Sequence, residues 1–288
     1  MTINTKRNWK LLSAIIILVI VVAVGVIYSS RTRKIEPITH SFKDHTVIIS
    51  TYGSTVTGSP FYETYITKAV KYIADPNNQV KHLVIVGGYT VDKNTSQAQA
   101  AFDYINKTFP EFASQKIPVL FDQCGVTTWQ NIANAKQLLD SQGIRPDKLT
   151  VFAETSKIRD IYFFANTDFL PFSDTDKQLI LKEVKPLLSM SEDKQLSAYN
   201  NLGNYTLSKY TNPNDLVDVI TQDSGLPQSY TDQDHAKTFG EINEDLDPTY
   251  GDQMIKSQID EWSKTAGFSV AQNLVSKGCN YYSRFITK

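Results

Sequence analysis

Four short apolar runs rich in β-branched residues recur along the first part of the chain: TVIIST (46–51), HLVIVG (82–87), IPVLFD (117–122) and LTVFAE (149–154). None alternates cleanly between apolar and polar, which predicts strands covered on both faces. Between and after them, apolar residues fall at helical spacing over about 61–74, 95–109, 128–142 and 156–169. Thr95 or Ser96 is placed to open the second of these helices and Gly143 to close the third. Strand and helix alternating at this spacing predicts a parallel sheet with right-handed crossovers, hence an α/β layered fold.

The pattern changes after Pro171. Amphipathic windows at 174–190, 192–202, 213–222 and 252–277 are separated by polar stretches rich in Asn, Asp, Gly and Pro. They predict a C-terminal helical subdomain or cap over residues 170–288, following an α/β domain at 44–169.

A third pattern precedes both. LLSAIIILVIVVAVGVIY (11–28) carries no charge, and as a helix it reaches ~27 Å, enough to cross a bilayer. Its apolar residues cover every face, unlike those of a surface helix. Val26 and Tyr28 stand where a signal peptidase would require small residues, so the segment reads as an uncleaved transmembrane anchor. It follows a short tail (1–10) and precedes a stalk (29–43). Lys6, Arg7 and Lys10 before it nearly balance Arg31, Arg33 and Lys34 after it. The expected arrangement is a single-pass protein of the cell membrane with a cytoplasmic N-terminus and an extracytoplasmic domain, because long domains translocate largely regardless of charge.

Charge removes one class of function. The 288-residue chain has a net charge of −1, and residues 170–288 carry 11 Lys and Arg against 17 Asp and Glu. Apart from the six basic residues flanking the anchor the chain has no basic face, so no nucleic-acid partner is expected. The acidic C-terminal region could instead meet a protein partner. His40, His45, His82 and His235 lack metal-ligand spacing, and no metal is expected. Cys124 and Cys279 allow at most one bridge.

Ligands of open parallel sheets bind beyond the carboxyl ends of the strands. That rule selects TYGSTVTGS (51–59), GGYTVDKNTSQA (87–98), DQCGVTTWQN (122–131) and ETSKIR (154–159). Gly53, Gly87 and Gly88 would admit a ligand close to the backbone, while helix starts near Ser96, Thr128 and Ser156 would offer N–H groups to an anion. Asp122 could hold a ribose or amine or act as a base, and Arg159 could pair with an anionic group. The same residues also suit a loop cap and a surface ion pair. The dinucleotide and phosphate-loop glycine patterns are absent, and Ser54 in YGSTVTG lacks the spacing of a nucleophile elbow. His45 and His82 lie at strand entrances, so Cys124 has no histidine base beside it and is disfavoured as a nucleophile.

Taken in order, these motifs resemble the domain of unknown function 218 family, the SanA-, YdcF- and ElyC-like proteins. Val86-Gly87-Gly88, Ser96 and Ala98, Asp122 through Gly125 to Thr128 and Asn131, and Val151 through Ser156 to Arg159 follow its pattern over about residues 44–168. Gln97, Gly125, Gln130 and Ser156 stand where the family has Glu, Ser, Glu and His. The resemblance implies a Rossmann-like three-layer fold, a nucleotide-like ligand such as S-adenosylmethionine, and a role in envelope barrier or peptidoglycan maintenance. Thr128 and Asn131 would cap the helix and contact ligand, with Ser54, Ser96 and Ser156 alongside. Two other readings stand beside this one: a transferase or hydrolase of an envelope glycan or lipid-linked precursor, and an interaction protein with a vestigial pocket.

Overall fold

The computed structural model describes residues 42–51, 59–223, 225 and 228–286. The N-terminal tail, the anchor at 11–28, the stalk up to residue 41 and the candidates Gly53 and Ser54 lie outside the described residues. Among the described residues no helix is long and apolar enough to cross a membrane.

Five strands, β1 (His45–Ser50), β2 (Val80–Val86), β3 (Val119–Asp122), β4 (Lys148–Glu154) and β5 (Val217–Gln222), form one sheet in the order β3-β2-β1-β4-β5. Every pairing is parallel. Successive residues therefore point to opposite faces, and both faces are apolar. Val47, Ile49, Leu83, Ile85 and Phe152 enter one core, beneath helices α1 (Pro60–Ala74) and α2 (Gln97–Thr108). Ile48, Val84, Val86, Leu149 and Val151 enter the other, beneath α3 (Thr128–Ser141) and α4 (Ile158–Phe169). The connections thus change face after β3, and the strand order reverses between β1 and β4.

The four predicted strands and the four helices around them are all present. Ser96 opens α2, its Oγ accepting from the Gln99 N–H at 3.0 Å. Gly143 follows α3 with φ +68°, a left-handed conformation that suits glycine beyond a helix end.

The C-terminal part differs from its expectation in three places. Residues 213–222, predicted as helix, contain the edge strand β5. Asn214 Oδ1 receives the N–H groups of Leu216 and Val217 and turns the chain into VDVITQ, whose β-branched residues suit a half-buried edge. Residues 170–288 therefore complete the sheet as well as cover it. Helices α5 (Asp174–Leu188) and α6 (Glu192–Asn200) share one core with α4, through Phe163, Ile180, Val184 and Tyr199. The expected helix at 252–277 is two, α8 (Pro248–Ala266) and α9 (Val270–Ser276), parted by Gly267 at φ +74°. The third difference is α7 (Gln228–Leu246), which lies in a stretch of polar sequence. Its inner face buries Phe239 and Ile242 but also Thr238, Glu241, Asn243 and Glu244, so the apolar period is too sparse to reveal it.

Candidate functional site

The carboxyl edge of the sheet has two unlike halves. Beyond β2 and β3 the loops close on one another. Gly87 donates its N–H to the Asp122 carbonyl at 3.1 Å, and Gly88 donates to the Gly125 carbonyl at 2.9 Å. A Cβ on Gly87 would lie 1.8 Å from Thr51 Oγ1, and one on Gly88 would lie 2.5 Å from the Gly125 carbonyl oxygen. These glycines allow loop to meet loop, and the space beside them is filled by protein. The first amides of α2 are engaged as well, Gln97 N–H by the Gly88 carbonyl and Ala98 N–H by the Gly87 carbonyl.

The loop after β3 is organised around Asp122. Its carboxylate accepts from the N–H groups of Cys124 (3.2 Å) and Gly125 (3.0 Å) and from Asn134 Nδ2 (3.0 Å). Burial raises its pKa against the pull of those three donors. This is the geometry of a loop cap. At the start of α3 the capping side chain is that of Thr127, which accepts from Gln130 N–H at 3.1 Å, and Thr128 is the first residue inside the helix. The Trp129 N–H, a free donor at most helix starts, is taken by Glu241 Oε2 at 3.0 Å. Asn131 is buried beneath Gly125, its Oδ1 without a partner.

Cys124 and Cys279 form a disulfide across 155 residues of sequence. It ties the C-terminal segment to the β3 loop, where the Tyr282 hydroxyl donates to the Cys124 carbonyl. Cys124 in this state is not a nucleophile. Helices α8 and α9 add Ile255, Ile259, Val270 and Leu274 to the same apolar cluster.

Beyond β4 the construction is charged. Glu154, buried at the strand end, receives the N–H of Ser156 at 2.6 Å. Ser156 in turn offers its carbonyl to His235 Nε2 at 2.8 Å. Lys157 pairs with Asp234 and lies 3.8 Å from Asp160 Oδ2, its side chain only 16% exposed. Asp160 is 2% and Glu241 4% exposed. Burial pushes both carboxyls up to about 7, although Lys157 pulls each of them down. Burial alone would lower the Lys157 ammonium, but Asp234, Asp160 and Glu241 together raise it. Burial also lowers His235, whose ring stacks on Tyr199 at 4.1 Å between centroids. Arg159 stands exposed at the rim, with Nη1 donating to the Tyr199 carbonyl at 3.1 Å.

The predicted residues thus fall into two groups. Gly87, Gly88, Ser96, Asp122, Thr128 and Asn131 gather around the closed half, whereas Ser156 and Arg159 belong to the charged half. His45 and His82 lie at the amino ends, as expected; His45 Nε2 meets Thr150 Oγ1 at 2.9 Å and His82 Nδ1 meets Asp44 Oδ1 at 2.8 Å. From the sequence no histidine is expected near the carboxyl ends, and His235 is the exception, carried there by α7. Lys157, Asp160, Asp234 and Glu241 were missed with it. The available signal was Lys157 and Asp160 one turn apart after a strand, but their partners lie more than seventy residues away. Among the described residues no group of His, Cys, Asp and Glu could hold a metal ion.

A nucleotide seated on the glycine pair does not fit this arrangement. Gly87 faces Thr51 and Gln97, Gly88 faces the Gly125 carbonyl, and the Asp122 carboxylate is turned into its own loop. Comparisons with protein-family models, curated proteins and solved structures give no match to this chain.

Proposed function

We propose that this is a membrane-anchored protein of the cell envelope whose Rossmann-like α/β domain binds a small anionic ligand beside the crevice between β1 and β4. The observation that carries the reading is the Arg159 guanidinium, exposed at the rim of the buried cluster of Lys157, Asp160, Asp234 and Glu241. It stands where the strand order reverses, the position at which open α/β sheets bind ligands. Tyr65 reaches into the gap between these two strands, its hydroxyl 2.8 Å from the Ser50 carbonyl and 2.7 Å from that of Phe152. A ligand would therefore lie above it, at the level of Ser156 and Arg159. Arg159 supplies the exposed cation, and Lys157 is held charged behind it. The disulfide agrees with an extracytoplasmic domain, since such bonds persist mainly in oxidising compartments.

Native mass spectrometry of the full chain, extracted in a mild detergent, tests this. A non-covalent adduct retained by the wild type and lost in Arg159→Glu is the expected result. An unliganded wild-type mass, or an adduct indifferent to Arg159→Glu, overturns the reading.

The enzymatic alternative, a transferase or hydrolase of an envelope glycan, draws on the same cluster. A carboxyl held near pH 7 is matched to general acid-base work, and Asp160 and Glu241 meet that condition. Both are buried, so substrate would have to reach them through a rearrangement of α7.

A further inference from the structure

Beside α3, and sharing none of the residues of the charged cluster in its lining, lies a cavity of about 540 Å³, a volume within the usual range of small-molecule sites. The end of β3, one face of α3 and residues 278–282 line it, and the Cys124–Cys279 disulfide forms part of its wall. We propose that this cavity is a second binding site, for an uncharged amide-bearing sugar such as an N-acetylhexosamine.

Three features of its lining select that chemistry. The first is the lack of cations, since no Lys or Arg lines the cavity. Asp122 is its one charged residue, and its carboxylate is already committed to Cys124, Gly125 and Asn134. An anionic ligand would meet a carboxylate with no compensating charge, which costs binding energy. The second feature is a set of neutral hydrogen-bonding groups. Among the described residues the exposed side chains of Gln137 and Asn280 have no partner, and each offers both a carbonyl oxygen and an NH₂ group. Asn134 spends its NH₂ on Asp122 and keeps its carbonyl oxygen as an acceptor. Such amides complement ring hydroxyls and an acetamido group in either direction.

The third feature is aromatic. Trp129 and Tyr281 line the cavity with their polar atoms tied back into the protein. Trp129 Nε1 donates to Asp245 at 2.7 Å, and the Tyr281 hydroxyl donates to Glu244 at 3.2 Å. The Trp129 ring remains as apolar surface for the carbon-hydrogen face of a sugar, while the Tyr281 ring is held by Arg284, stacked 4.0 Å from its centroid, and by Tyr282 and Phe285. A purely apolar ligand would leave the amides unpaired, and an anionic one would lack a counter-ion among the lining side chains. An uncharged polyol with one amide satisfies both halves of the lining.

The test uses the full chain in a non-glycosidic detergent, with N-acetylglucosamine and its β-1,4-linked dimer as probes. Saturation-transfer NMR should show both sugars binding, and the charged analogue N-acetylglucosamine 6-phosphate should bind more weakly. Gln137→Ala combined with Asn280→Ala should weaken binding about tenfold. Ser141→Trp, which fills the cavity from its exposed rim, should abolish binding. Failure of the uncharged sugars to bind, preference for the phosphorylated one, or an unchanged signal in Ser141→Trp would each overturn the proposal. The site contains neither Arg159 nor Lys157, so its failure leaves the proposed function standing, and the reverse also holds.

Discussion

The two halves of the carboxyl edge solve the same problem with opposite materials. Beyond β2 and β3, strand ends and helix starts are satisfied by backbone meeting backbone through Gly87, Gly88 and Gly125, then locked by a disulfide. Beyond β4 carboxylates gather instead: Glu154 serves Ser156, and Asp160 and Asp234 flank Lys157. Glu241 reaches from α7 across to the Trp129 N–H at the start of α3, where the other carboxylate, Asp122, serves its own loop. A tightly packed edge gains stability and leaves no space for a ligand at its glycine pair. A charged edge carries desolvation costs that a structural role alone would not require, and ionisable groups with shifted pKa values concentrate at functional sites. The ligand site proposed on the β4 side rests on this contrast.

If the halves differ in this way, they should fail differently. The largest effect is expected from Lys157→Met, which removes the one ammonium among Asp160, Asp234 and Glu241. Breaking a buried pair from one side costs about 3–5 kcal/mol. Urea denaturation at pH 8 should show that loss, and a smaller one at pH 5, where Asp160 and Glu241 are already protonated. Similar losses at both pH values would mean that the cluster is not electrostatically coupled. The closed half should instead respond to reductant. Opening a bridge across 155 residues removes about 2–5 kcal/mol, so the melting temperature should fall with dithiothreitol and fall equally in Cys124→Ala. This loss should be indifferent to pH over 5–8.

A third measurement isolates the sign of the electrostatics. Glu241 is pushed up to about 7 in the folded protein, above its value of ~4.3 when unfolded. The folded state therefore holds the extra proton between those values. The associated stability is complete below about pH 4 and is lost as pH rises through 7. Its size is on the order of 3 kcal/mol at 1.36 kcal/mol per pKa unit. Wild-type stability should decline from pH 5 to pH 8, and Glu241→Gln, which can still accept the Trp129 N–H, should flatten that decline. Stability rising over this interval would contradict the burial that raises the carboxyl.

These tests also mark what could be read from the chain. TVIIST and LTVFAE announce buried parallel strands because sheet faces covered on both sides need unbroken apolar runs. Asp122, Asn131 and the glycine pair could be seen to converge, since the glycines follow β2, Asp122 ends β3 and Asn131 lies in the first turn of the helix after it. What they converge on was not legible: whether Gly88 faces a ligand or the Gly125 carbonyl depends on how two loops far apart in sequence approach each other. VDVITQ has the β-branched residues of a strand, yet its place among helical windows leads to the expectation of a helix over 213–222. The charged cluster was hidden for a different reason. Asp234, His235 and Glu241 sit on a helix whose buried face is largely polar, and no period of apolar residues marks such a face.

The smallest expected effect addresses the closed half at one residue. The expectation from sequence is that Thr128 caps α3. In the structure Thr127 has extended backbone angles and its Oγ1 faces the Gln130 N–H, whereas Thr128 already lies within the first turn. Thr127→Ala should therefore cost about 1 kcal/mol, the usual value of an N-cap hydroxyl. Thr128→Ala should cost within about 0.5 kcal/mol, as for a position with no cap to lose. Should Thr128→Ala prove the costlier change, its hydroxyl must serve something other than the helix. Retention of the adduct would then be measured in Thr128→Ala alongside Arg159→Glu, because loss in both would extend the ligand site from the charged half onto the closed one.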